Sequence, residues 1–217
     1  MNEQAVEQGI TLMQAWQYGG DLMWVLLGMS VIALALVMYI LVAHRRGAIA
    51  PAALLSDVLN ALHGDNASEA KRLCERSGSA LADVALAGVL AVTMPGATLE
   101  RVNAAVETAG AHAAGRMSAT VEYLLDIATI APLVGLLGTV LGMFKAFSGV
   151  ANDIASAKPV VLAQGVSQAI ITTVFGLLIS IPVLAAYAFF RRRVARRTDE
   201  LENAAAEIVD AMVSKGR

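Results

Sequence analysis

A chain of 217 residues with a formal net charge of −2 is long enough for one or two soluble domains, yet 57% of it is hydrophobic and only 16% charged. A mean hydropathy of +0.64 argues against a soluble protein. A single cysteine, Cys74, excludes an intrachain disulfide framework and reads as a lone buried thiol.

Three runs carry no charge: Leu22 to Ala43, Ile127 to Phe144 and Pro159 to Phe190. A hydrocarbon core of about 30 Å needs roughly 20 apolar residues in a helix. The runs lack the alternation of barrel strands, and a helix satisfies its own backbone polar groups, so three membrane-spanning helices are predicted. The fold class is therefore all-α, with three spans and long cytoplasmic helical extensions.

In chain order, residues 2–18 read as a short amphipathic helix at the outer interface. Trp16, Tyr18 and Trp24 stand where aromatic anchors are favoured. This N-terminus does not read as a cleaved signal peptide, because it carries Glu3 and Glu7 and no Lys or Arg before a late apolar run. After the first span the pattern is Ala-rich and helical. Pro51 suits the first turn of one helix, which the stretch from His63 to Asn66 breaks. Further helices fit 67–76 and 80–93, separated by Ser77-Gly78-Ser79, and Pro95-Gly96 makes a turn. Thr98 is a good N-cap for a helix beginning at Leu99. From Leu99 no cluster of breakers appears until about Asn152; Pro132 should bend this helix without ending it. A helix of about fifty residues is roughly 80 Å long, so the second span should continue far into the cytoplasm. The short connection from Ala151 to Lys158 makes spans two and three an antiparallel hairpin. The third span should also run on, through Arg191–Arg197, to about Val213. Over 200–212 charged positions alternate with Leu201, Ala205, Ile208 and Met212, as in a helix packing one face.

Orientation is read from the cations. Of sixteen Lys and Arg, none lies in the first twenty residues, Lys145 and Lys158 lie at the far end of the hairpin, and the other fourteen lie within 44–121 and 191–217. Cytoplasmic segments carry the Lys/Arg excess, so the N-terminus is expected outside and the C-terminus inside. The arginines at 191–197 also suit anionic lipid head groups. The predicted organisation is a periplasmic segment (1–20), a first span (21–43), a cytoplasmic helical region (44–121), a channel hairpin (122–190) and a cytoplasmic C-terminal helix (191–217).

Gly135, Gly138, Thr139 and Gly142 share one face of span two, and small residues let membrane helices approach closely. Gly165, Gln168, Thr172, Thr173, Gly176 and Ser180 share a broad face of span three. Glutamine at membrane depth must face protein or water. The two polar faces would meet in a shared interior, either a helix interface or a lumen. Neither run contains Asp, Glu, His or Lys, so a proton path here would need its titrating carboxylate from another chain. Asp126 and Lys145 read as boundary charges. Neither a phosphate-binding glycine loop nor a His/Cys set with metal spacing occurs, so no enzyme, cofactor, metal or nucleic-acid partner is expected.

The stretch Ala131-Pro132-Leu-Val-Gly135-Leu-Leu-Gly138-Thr139-Val-Leu-Gly142-Met resembles the MotA/TolQ/ExbB proton-channel family. So do Gly165-Val-Ser-Gln168-Ala-Ile-Ile-Thr172-Thr173-Val-Phe-Gly176-Leu and Ile181-Pro182. The three-span layout is similar to the ExbB/TolQ branch; outside 124–185 the likeness is one of architecture. The resemblance implies a bacterial inner-membrane homo-oligomer, a pentamer, around an ExbD/TolR-like single-span partner whose Asp carries protons. It implies force transmission through a TonB- or TolA-like protein. It places Thr139 and Thr173 as the pore threonines, with Thr172 and Gln168 lining the same path. Gly135, Gly138, Gly142, Gly165 and Gly176 are then packing positions, and Pro132 and Pro182 helix bends. At the position of Gln168 the family often has Glu, which implies that this chain does not itself titrate. A non-conducting membrane scaffold is the alternative reading.

Overall fold

The computed structural model describes residues 19–43, 49–64, 66–152 and 159–213. Every regular element among them is an α-helix: α1 (Leu22–Ala43), α2 (Ala52–His63), α3 (Ala67–Ser77), α4 (Ala80–Thr93), α5 (Leu99–Asn152) and α6 (Pro159–Val213). The expected all-helical fold is observed, and α1, α5 and α6 are each long and apolar enough to cross a membrane. The helix expected over 2–18, the Arg45-Arg46 pair and most of the connection before α6 lie outside the described residues.

Local chemistry explains the boundaries. Pro51 stands one residue before α2 in an extended conformation, where its missing N–H costs nothing. The Asn66 side chain accepts a hydrogen bond from the Glu69 N–H (3.1 Å), and Ser79 Oγ accepts one from the Ala82 N–H (3.2 Å), capping α3 and α4. Gly78 ends α3 in the left-handed conformation, with φ of 57°. Thr98 Oγ1 lies 3.4 Å from the Arg101 N–H at the start of α5. Pro132 and Pro182 lie inside α5 and α6 without ending either.

The described residues fall into two compact units, those up to 37 with those within 123–187, and those within 38–122 with those from 188 on. In the second, α3 packs against both α2 and α4. Its buried side chains include Val58, Leu62, Leu81, Val84, Val89, Val102, Leu201 and Ile208, each contributing about 1.5–3 kcal/mol on leaving water. Cys74 belongs to this core at 3% exposure. Burial pushes its thiol up to about 11, with the Glu75 charge adding to the effect, so it is an unreactive packing residue at neutral pH.

The first unit contains most of the three apolar segments and has a different character. Met23, Leu26 and Ala33 of α1 are buried, but Trp24, Val31, Leu34, Leu133, Val140, Phe144, Ile170, Leu178 and Ile181 are all exposed. So much apolar surface on a folded unit marks a membrane or partner face.

Candidate functional site

The site is the hairpin of α5 and α6 in the first unit. Between residues 128 and 146 of α5 the buried positions are Ala128, Ala131, Gly135, Gly138, Gly142 and Ala146; facing them on α6 are Gly165, Ala169, Thr172, Gly176 and Ser180, also buried. All are small, and their spacings of three and four keep them on one face of each helix. The two faces meet in antiparallel register. A Cβ added at Gly165 would lie 2.5 Å from the Ala146 Cβ, and one at Gly142 would lie 2.9 Å from the Gly165 carbonyl oxygen. Further along, a Cβ at Gly138 would lie 2.3 Å from Thr172 Oγ1, and one at Gly176 2.8 Å from the Ala131 oxygen. The five glycines singled out in the sequence therefore stand where the helices approach most closely.

Proline chemistry adds one polar clasp. Pro132 has no N–H, so the Ala128 carbonyl one turn earlier loses its intrahelical donor. Ser180 Oγ, from the other helix, donates to that carbonyl, and Ser180 is only 7% exposed. An unpaired carbonyl in an apolar interior is costly, so the serine completes what the proline removes. Ser180→Ala is expected to destabilise the folded chain by about 1–2 kcal/mol. The cost should shrink in a Pro132→Ala background, where the restored N–H serves Ala128. Thermal unfolding of the four purified variants checks this.

The hydroxyls fall into two classes. Thr172 is fully buried, its Oγ1 3.0 Å from the Ala169 carbonyl, 3.1 Å from that of Gln168 and 3.4 Å from that of Gly135. It bonds within α6 and across the seam. Thr139 and Thr173 are half-buried. Thr139 Oγ1 donates to the Leu136 carbonyl (2.6 Å), and Thr173 Oγ1 to the Gly135 carbonyl (3.2 Å). With its proton committed to a carbonyl, a hydroxyl offers only lone pairs to its surroundings. Both threonines can thus accept hydrogen bonds from water or from a protonated acid.

Gln168 is half-buried, and its amide lies against Gly20, just before α1. The structure therefore joins Thr172, Thr173 and the five glycines in one seam, leaves Thr139 bonded within α5, and turns Gln168 toward α1. Asp126 and Lys145 are exposed at either end of the second apolar run. Among the described residues no group of three His, Cys, Asp or Glu could hold a metal ion. The sequence reading missed the partnership of Ser180 with Ala128 and the contact of Gln168 with Gly20. The absent N–H of Pro132 was the available signal for the first; the second had none.

A sequence profile of the MotA/TolQ/ExbB proton channel family matches residues 76–203. The chain is 33% identical over 110 residues to a Pseudomonas putida protein named "Biopolymer transport protein ExbB", a match covering 51% of this chain and 33% of that protein. It is 33% identical over 99 residues to the "Tol-Pal system protein TolQ" of Pseudomonas aeruginosa, covering 46% and 42%. Against the "Putative biopolymer transport protein ExbB-like 3" of Synechocystis it is 27% identical over 180 residues, covering 82% and 84%. The match thus spans about a third of the first relative's length and most of the last.

Proposed function

The chain belongs to the MotA/TolQ/ExbB proton channel family, and we propose that it is the channel-scaffold subunit of an ExbB/TolQ-like motor driven by the proton-motive force across a bacterial inner membrane. In this reading several copies surround the membrane helix of an ExbD/TolR-like partner. A TonB- or TolA-like protein carries the force to a transport or envelope process. The N-terminus lies in the periplasm and the C-terminus in the cytoplasm, as the Lys/Arg distribution favours.

The observation that carries the reading is the pair of half-buried threonines, Thr139 and Thr173, on a hairpin whose apolar runs hold no titratable carboxylate, histidine or lysine. Their protons are engaged by backbone carbonyls, so their lone pairs are available to a donor. A carboxylic acid supplied by the partner is such a donor when protonated. It loses that interaction on ionising, which makes the complex sensitive to the acid's protonation state. Thr172 and Gln168 support the wall of this path, one from within the seam and the other from its outer end. An elementary charge moved through 100 mV yields about 2.3 kcal/mol, so a sizeable mechanical step needs several protons.

The test is the intact mass of the complex, purified in detergent or native lipid with its genomic neighbours co-expressed. Five copies of this chain with two of a small single-span protein is the expected composition. A ring without a partner, or no ring, would overturn the motor reading in favour of a structural scaffold.

A further inference from the structure

We propose that α6 carries a binding site for the head group of an anionic phospholipid, formed by Arg192, Arg193 and Arg196 below the exposed ring of Phe189. The site requires only that α6 crosses a membrane, so it stands apart from the motor reading. The uncharged run of α6 ends at Phe190, and Arg191, Arg192, Arg193, Arg196 and Arg197 follow directly. The structure sorts these arginines. Phe190, Val194, Arg197 and Leu201 recur at intervals of four, three and four, which places them on one face of the helix. Phe190, Val194 and Leu201 are buried there, and Arg197, with its side chain only 13% exposed, pairs with Glu200. Phe189, Arg192, Arg193 and Arg196 stand at i, i+3, i+4 and i+7 on the open side. Arg192 and Arg196 are exposed, and Arg193 is half-buried at the margin. Among the described residues no carboxylate forms an ion pair with any of these three.

Guanidinium groups on one face repel one another and call for a counter-anion. Residues four apart lie one above the other on a helix, so Arg192 and Arg196 can direct two planar forks at the same group. A phosphate suits them, because its oxygens accept N–H bonds from a guanidinium in pairs. One turn nearer the apolar run, Phe189 is 59% exposed, and its ring stands edge-on to that of buried Phe190 with centroids 5.4 Å apart. A soluble phosphate would leave this apolar ring in water, whereas a phospholipid covers it with the start of its acyl chains. Three cations without an acid on their face favour a head group of net negative charge over a zwitterionic one. Orientation of the chain needs only cations at the boundary. It does not need them on one face with an exposed phenyl ring, and that shared face is what points to a bound lipid.

The test is thermal unfolding of the full chain in a neutral detergent, titrated with phosphatidylglycerol, phosphatidylcholine or inorganic phosphate. Phosphatidylglycerol should raise the melting temperature saturably, and less so as salt is added. The other two should not. Arg192→Gln with Arg196→Gln should raise the half-saturating concentration of phosphatidylglycerol roughly thirtyfold. Lys71→Gln with Arg72→Gln removes two cations from α3 instead and should leave that concentration unchanged. Arg192 and Arg196 are exposed, so their substitution takes nothing from the core. Should the double variant still not accumulate, either single substitution should shift half-saturation roughly fivefold. An equal response to phosphatidylcholine would make the effect one of lipid in general. An equal response to inorganic phosphate would give the arginines to a soluble anion. Unchanged half-saturation in the arginine variants would place the lipid elsewhere, and loss of assembly in every lipid would make this face a contact between copies. Each of these results overturns the proposal.

Discussion

Thr139→Val and Thr173→Val are each expected to reduce energised function by tenfold or more, about 1.4 kcal/mol or greater, while the complex still assembles. Valine keeps the shape of threonine and removes only the hydroxyl. For Thr173 the structural loss is one hydrogen bond to the Gly135 carbonyl, which also lies 3.4 Å from Thr172 Oγ1. For Thr139 it is one bond within its own helix. Each loss is worth about 1 kcal/mol of stability, too little to unfold a hairpin packed along its whole length. On the proposed function, what disappears is a hydrogen-bond acceptor on a hairpin whose apolar runs hold no charged residue. Thr120→Val is the control: its hydroxyl makes the same kind of bond, to the Arg116 carbonyl, but lies outside the apolar runs. It should retain activity. Force-dependent uptake or envelope integrity, measured with the amount of assembled complex, separates function from assembly. Full activity in both valine variants would remove Thr139 and Thr173 from the path.

Gly142→Val and Gly176→Val should have a larger effect of another kind, loss of the assembled protein. A Cβ at Gly142 would come within 2.9 Å of the Gly165 oxygen and 3.2 Å of the Ala169 nitrogen. At Gly176 the nearest atoms are the Ala131 oxygen at 2.8 Å and the Gly135 Cα at 3.2 Å. These neighbours are backbone atoms, so no rotamer change relieves the clash and the helices must separate. Overpacking costs about 1–3 kcal/mol even where side chains can move, and separating the seam also breaks the Ser180 bond to Ala128. Gly28→Ala is the matched control, since nothing lies within 4 Å of a Cβ there. Size-exclusion profiles and melting temperatures should show Gly28→Ala unchanged and the two valine variants dissociated or absent. Normal assembly of Gly142→Val and Gly176→Val would show that the helices do not pack through these glycines.

Helix boundaries were legible because their causes are local. The predicted segments 67–76 and 80–93 are observed as Ala67–Ser77 and Ala80–Thr93, each opened by a side-chain cap and separated by a left-handed glycine. The long helix predicted to begin at Leu99 and end near Asn152 has those limits. The glycine spacing identified the close faces of α5 and α6 for the same reason: three- and four-residue intervals are visible in one dimension.

Amino-acid order by itself determined the number of apolar helices, their limits, the family resemblance and the expected orientation of the chain. These depend on the length of uncharged runs, on capping chemistry and on the placement of Lys and Arg. Tertiary structure alone decided what each polar side chain touches. Thr172 and Thr173 are adjacent in sequence, yet one is sealed within the seam and the other half-buried, because successive residues turn by about 100° around a helix. Gln168 meets Gly20, far away along the chain, and Ser180 replaces a donor that Pro132 lacks in another helix. Periodicity specifies which residues share a face; only the packed hairpin specifies what stands across from it.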